Sequence, residues 1–203
     1  METISFPHFS RSHCQAQIAL FRNVSNGGAL KKRIIAASTM EGDEGEKERA
    51  SVNYSFVNAK LITSKLHLQT AIYQSILAEE EGSLRTKTVH SEILYNLNPT
   101  HNITEAIRRY GVGDDTTDLI VVQINSPDAL PAPEVEAKLK ELVTGDLAPF
   151  SDLALVTDWS AIKKYHKLNN DPAVKEAFKS TTRERMVVDE IVVSSVAMKT
   201  VMN

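Results

Sequence analysis

Residues 119–124, LIVVQI, restrict the fold more than any other stretch of the chain. An apolar run this continuous leaves no polar face, so it predicts a strand covered on both sides. A chain built around such a strand must supply apolar layers above and below it. Helical and strand patterns interleave along the rest of the sequence without strict βαβ repetition. This predicts an α+β fold: a single compact domain over 1–203, with a mixed, mostly antiparallel sheet and helices packed on its faces. The 203 residues suffice for one sizeable core and are few for two.

The first fourteen residues are expected to form a loose N-terminus. QAQIALFRNV (15–24) reads as a strand broken by Asn26, Gly27 and Gly28, and 29–37 as a short helix with Leu30, Ile34 and Ala37 on one face. MEGDEGEKERAS (40–51) has Met40 as its one large apolar residue and reads as an acidic loop insertion. Leu68, Ala71, Ile72, Ser75 and Ile76 form one stripe of a helix over 66–81 that closes near Gly82. VHSEILYNL (89–97) predicts a strand, closed by Asn98 and Pro99. Asn102 followed by Glu105 predicts a capping box that opens a helix. Ile103, Ala106, Ile107 and Tyr110 share one of its faces, Arg108 and Arg109 project elsewhere, and Gly111 is expected to stop it in the left-handed region. Short helices follow over 133–143 and 159–168. The tail 183–199 predicts a final helix, with a strand as runner-up because of its valines.

Several kinds of chemistry are excluded. Net charge is −3, from 23 basic and 26 acidic side chains, so no overall field draws nucleic acid or membrane. The single cysteine, Cys14, allows no internal disulfide and suits a reducing compartment such as cytosol or nucleus. The opening METISFPHFSRSHCQ lacks the apolar core of a signal peptide. The apolar tail 186–198 is interrupted by Asp189, Glu190, Ser194 and Ser195, so it is not a membrane span. The histidines are scattered at 8, 13, 67, 90, 101 and 166, without a second ligand pair for a metal near His13 and Cys14. There is no G-x-S-x-G elbow, and His90, Ser91 and Glu92 on a strand would alternate in direction rather than converge. Phosphate-binding glycine loops are absent as well, with GVGDD better explained as helix termination. The expectation is no catalytic residue, no cofactor, no metal and no small-molecule substrate.

Two features point to binding instead. Arg85 and Lys87, Arg108 and Arg109, and Lys163, Lys164 and Lys167 would form a modest phosphate-contacting patch if the fold gathers them. The other reading is an ordinary solvated face, since 84–124 carries four bases against five acids. On the last helix, Met186, Val187, Val188, Ile191, Val192, Val193, Val196 and Met198 cover most of the circumference. Such a helix is either buried centrally or covered on its outer side by a partner.

The stretch RTKTVHSEILYNLNPTHNITEAIRRYGV, 85–112, resembles the signature of the PRPK-binding protein family, the kinase-binding subunit of the KEOPS (EKC) complex. Its elements are Arg-Thr, Ser-Glu-Ile, Asn-Ile-Thr-Glu-Ala and a glycine ending the helix. IALFRNVSN, LQTAIYQSIL, IKKYHKL and VVDEIVVSSV follow the family order around it, so the likeness extends from about residue 15. The resemblance implies a non-catalytic subunit that binds the small kinase-like ATPase directly and other KEOPS subunits through it, supporting threonylcarbamoyladenosine modification of tRNA. It further implies tRNA contact near Asn102–Gly111, where His101, Asn102, Arg108 and Arg109 would act with Arg85 and Lys87. Val187, Val188, Ile191 and Val192 are the expected kinase-facing residues. Segments 40–51 and 173–185 exceed the family's minimal pattern and are expected to be loops. Fungal relatives are linked to telomere maintenance and transcription, which implies a nuclear as well as a cytoplasmic pool. A general protein-interaction module without RNA contact is the alternative.

Overall fold

The computed structural model describes residues 1–201. The expected two-sided strand is β4 of the sheet described below, and it lies inside. In chain order the first elements are β1 (Glu2–Ser5), β2 (Gln15–Arg22), α1 (Gly27–Thr39), α2 (Gly42–Ser51), β3 (Ser55–Asn58), α3 (Lys65–Glu80), α4 (Val89–Leu97) and α5 (Ile103–Tyr110). They are followed by β4 (Leu119–Asn125), α6 (Ala132–Leu142), β5 (Asp146–Ala148), α7 (Leu153–Val156), α8 (Trp159–Tyr165), α9 (Pro172–Ala177) and α10 (Thr181–Met198). The sheet runs β1-β2-β4-β3, and each of its described pairings is antiparallel. β4 lies between β2, in register from Gln15 opposite Asn125 to Phe21 opposite Leu119, and β3. β1 and β5 share the other edge of β2 end to end, at 15–18 and 20–22.

Alternation along the strands divides the core in two. Ala16, Ile18, Leu20, Ile120, Val122 and Ile124 meet α3, α4 and α10 through Leu68, Ile72, Ile76, Ile93, Leu97 and Val192. Ala19, Phe21, Phe56, Leu119 and Val121 face the opposite way, toward Leu30 of α1 and Val135 and Leu139 of α6. The α3 stripe of Leu68, Ala71, Ile72, Ser75 and Ile76 is buried as its spacing predicts. Gly82, at φ +63°, closes that helix region in the left-handed conformation.

Several expectations are corrected. VHSEILYNL is helix α4, not a strand. Thr88 and Ser91 form a reciprocal capping box at its start, and the helix is buried nearly all round. A helix with no solvated face carries no apolar periodicity, so its letters read equally well as a strand. The supposed loose terminus contains β1, whose Ile4, followed by Phe6, is buried. The acidic 40–51 segment is helix α2 over most of its length, held to α1 by Arg33 on Glu48 at 2.5 Å and by Arg49 on the Ala37 carbonyl at 3.4 Å. Segment 173–185 is mostly helical too, falling in α9 and the first turn of α10, where Ser180 accepts the Arg183 amide at 3.4 Å. Gly111 is not left-handed: its φ is −76°. A β-carbon there would stand 2.5 Å from the Ile107 carbonyl oxygen, so close approach, not backbone sign, requires glycine.

Candidate functional site

The central motif is built as two side-chain-held turns at the ends of α4. At its N-terminal end, buried Glu92 reaches back over the 84–88 turn. One carboxylate oxygen accepts the Arg85 amide at 3.1 Å, the Thr86 amide at 2.8 Å and the Thr86 hydroxyl at 2.6 Å. Two residues apart on a helix, His90 and Glu92 stand about 160° from each other around α4, so they face opposite sides and do not converge. His90 lies beneath the sheet end, with Nδ1 3.0 Å from Asn53 Oδ1 and Nε2 accepting the Ile124 amide at 3.0 Å. Burial pulls its imidazole down to about 4.

At the C-terminal end the loop 98–102 leads into α5. Asn98 Nδ2 donates to the Thr100 carbonyl at 3.1 Å and to Thr100 Oγ1 at 2.8 Å. Thr100 Oγ1 donates in turn to Glu105 at 2.5 Å. Asn102 caps α5 as expected, accepting the Glu105 amide at 2.9 Å. The second half of the expected capping box is replaced: the Asn102 amide turns to Thr100 Oγ1 at 3.4 Å, and the Glu105 carboxylate is taken by Thr100 and Arg109. Tyr95 and His101 meet at 2.8 Å between hydroxyl and Nδ1.

Lys199, just past α10, completes this region. Only 6 % exposed, its ammonium donates to the carbonyls of Tyr95, of Asn98 at 2.6 Å and of Thr100 at 3.0 Å, and lies 3.8 Å from the Tyr95 ring centre. Burial lowers its pKa to about 8, while Glu92 pulls the other way. Cations belong at a helix C-terminus, where carbonyls are left unpaired. No local pattern signals this contact, because the partners are 99 to 104 residues apart in the chain.

The expected RNA-facing residues divide into two groups. Arg85, Lys87, His101, Asn102 and Arg108 are exposed, as are Ile103 and Ile107, so the apolar face predicted for α5 buries only Ala106 and Tyr110. Arg109 is engaged elsewhere, paired with Glu105 at 2.6 Å and lying 4.4 Å over the Tyr165 ring. Next to it, buried Tyr110 meets His166 Nε2 at 3.1 Å, and burial holds that imidazole down at about 4. One cleft borders Lys199 and another borders the loop. One, of about 220 Å³, is bordered by Gln74, Arg85, Glu92, Tyr95 and Lys199. The other, of about 270 Å³, is bordered by Pro99, Thr100, Tyr165, Lys167 and Ile191.

On α10 the expected kinase-facing set is corrected in part. Val188 and Val192 are buried with Val196 against the core and do not face outward. Val187 and Ile191 are half-buried at its margin. Helical periodicity puts Met186, Glu190, Val193 and Ala197 on the opposite side, with Met186 58 % exposed. The helix is therefore not buried centrally: one side packs on the core and the other is left to solvent within this chain. Among the described residues, no group of three or more His, Cys, Asp or Glu side chains could hold a metal, and no helix is long and apolar enough to cross a membrane.

A family model described as kinase binding protein CGI-121 matches residues 21–200. Similar curated proteins are named EKC/KEOPS complex subunit CGI121. The one from Cryptococcus neoformans is 32% identical, over 97% of this chain and 100% of its own. The Neurospora crassa relative is 33% identical over 98% of each chain, and the Aspergillus fumigatus relative 34% identical over 83% of this chain and 84% of its own.

Proposed function

The chain belongs to the kinase binding protein CGI-121 family, and from that premise we propose that it serves as a non-catalytic subunit of an EKC/KEOPS complex. It docks the kinase-like ATPase subunit directly, reaches the other subunits through it, and supports threonylcarbamoyladenosine modification of tRNA. The uncovered outer side of α10 carries the kinase half of this reading. Met186, Val193 and Ala197 lie there beside Glu190, an apolar strip with one acid, and the side chains beneath it are already packed. Helix faces of this kind are read as spaced anchors by a grooved partner.

The RNA half rests on the 85–87 turn and on loop 98–102 with α5. Arg85, Lys87 and Arg108 supply exposed cations, and His101 an exposed ring, suited to a flexible single-stranded end. Because Arg109 is committed to Glu105 and Tyr165, the free positive charge is smaller than the sequence suggests. That gives weight to the alternative, an interaction module without RNA contact. The same proposal includes a nuclear and a cytoplasmic pool, and a part in telomere maintenance and transcription through the assembled complex.

The test is copurification of the kinase-like subunit with a Met186→Glu/Val193→Glu variant, beside a native-gel shift of a tRNA transcript. Loss of the kinase with an unchanged circular dichroism spectrum is expected, together with a wild-type tRNA shift that weakens with salt. Undiminished kinase recovery removes this face of α10 from the interface. A missing shift with wild-type protein favours the interaction module.

A further inference from the structure

We infer that Lys199 is a positioning residue: its ammonium, seated on the carbonyls of Tyr95, Asn98 and Thr100, fixes the 98–102 loop in the conformation that presents His101 and the α5 N-terminus. The presentation role rests on the RNA reading above, whereas the hold on the loop does not. The loop has little backbone support of its own. Pro99 has no amide hydrogen. The Asn98 amide goes to the Tyr95 carbonyl at 3.2 Å, and the Asn102 carbonyl is occupied inside α5 by Ala106 at 2.9 Å. The Asn98 and Thr100 carbonyls would otherwise lack charged or backbone donors, and Lys199 supplies both, using all three of its N–H groups. Tyr95 links this seat to the loop surface: its ring lies against the ammonium and its hydroxyl meets His101.

Removing the ammonium leaves three carbonyls to be rehydrated, and the clefts bordered by Tyr95 and Lys199 on one side and by Thr100 on the other bring water close to them. The loop should therefore loosen while the domain stays folded. A lysine that merely fastened the end of α10 would loosen the whole layer of α3, α4 and α10 instead. The ionisable groups facing Lys199 are Glu92, which favours its charged form, and His166, whose charged form it disfavours. Arg85 and Glu81 border the same cleft as Lys199, and burial holds the Tyr95 hydroxyl above its usual range, away from neutral pH.

The test compares wild type with Lys199→Met, which keeps the aliphatic stem, by amide hydrogen exchange, kinase retention and affinity for a tRNA transcript. Expected for the variant are a tenfold or greater loss of protection confined to the amides of 102–106, unchanged exchange in β4, unchanged kinase retention and at least fivefold weaker tRNA binding. Unchanged protection at 102–106, or a loss spread equally through β4, overturns the inference. Should the variant fail to fold, wild-type amide shifts followed from pH 7 to 9 replace it, with a step near pH 8 expected at residues 100–103 and its absence overturning the inference. A wild-type chain that binds no tRNA overturns the presentation role and the RNA reading together, while the exchange data still decide whether Lys199 holds the loop.

Discussion

His90 is held neutral by geometry, and that makes the protein acid-sensitive in a calculable way. Its Nε2 accepts the Ile124 amide, so its proton resides on Nδ1, facing Asn53 Oδ1. A second proton would set N–H against N–H inside the core. Burial accordingly lowers the ring from 6.5 to about 4. A pKa depressed by folding gives stability that is present above the unfolded value and lost as pH falls from 6.5 toward 4. Between pH 7 and 5 the unfolded ring takes up a proton that the folded ring refuses, which at about 1.4 kcal/mol per pH unit costs about 2 kcal/mol. His67, fully buried and accepting the Thr63 amide at 3.3 Å, is lowered to about 3 and adds a loss of about 2 kcal/mol with the same sign. His90→Gln offers a donor and an acceptor across a similar span but does not titrate. Urea unfolding followed by circular dichroism at pH 7 and pH 5 is the assay. The wild type should lose at least about 4 kcal/mol over that interval, and the variant about 2 kcal/mol less than the wild type. An equal loss in both proteins would refute the assignment of acid sensitivity to His90.

Four further outcomes follow from the placement of named side chains. Val192→Ala, which removes two buried methyl groups beneath α10, should cost about 2 kcal/mol in urea unfolding, whereas Met186→Ala on the outer side should stay within about 0.5 kcal/mol. Glu92→Ala strands the Arg85 and Thr86 donors and should cost about 2 kcal/mol, with faster proteolysis at the 84–88 turn as its local signature. Arg108→Glu should weaken tRNA binding and reduce its salt slope by about 1 without changing stability. Arg109→Glu should instead lower stability by about 1 kcal/mol, because it loses both Glu105 and the Tyr165 ring.

What the sequence reveals here follows the range of the forces involved. LIVVQI, the stripe of α3 and the Asn102 cap are decided within a few residues, and the structure bears each of them out. Helix α4 is misread because it is covered on every side, which erases the period that would distinguish helix from strand. The acidic 42–51 stretch looks unfoldable by composition, yet α1 gives it Arg33 to pair with and Gly45 lets it approach the Met40 carbonyl. On α10, counting valines overstates the buried width, because the valines beside the buried row of 188, 192 and 196 lie at its margin or beyond. Lys199 carries no local signal: its partners lie in another helix and the loop that follows it. The sequence therefore names the surface residues His101 and Arg108, while the scaffold that aims them becomes visible only in three dimensions.

The sharing of one sheet edge by β1 and β5 restricts how this protein can associate. A foreign strand approaching that side meets four residues of one segment and then three of another, with Ala19 of β2 between the two registers. On the far side β3 has four residues, and Val57 is already bridged by Gly111. Neither border is a continuous template for main-chain pairing, so fibril-like stacking and strand donation are disfavoured. Its assemblies should accordingly be held by side chains meeting across helical surfaces, a mode that can be dissolved and reformed one residue at a time by mutation.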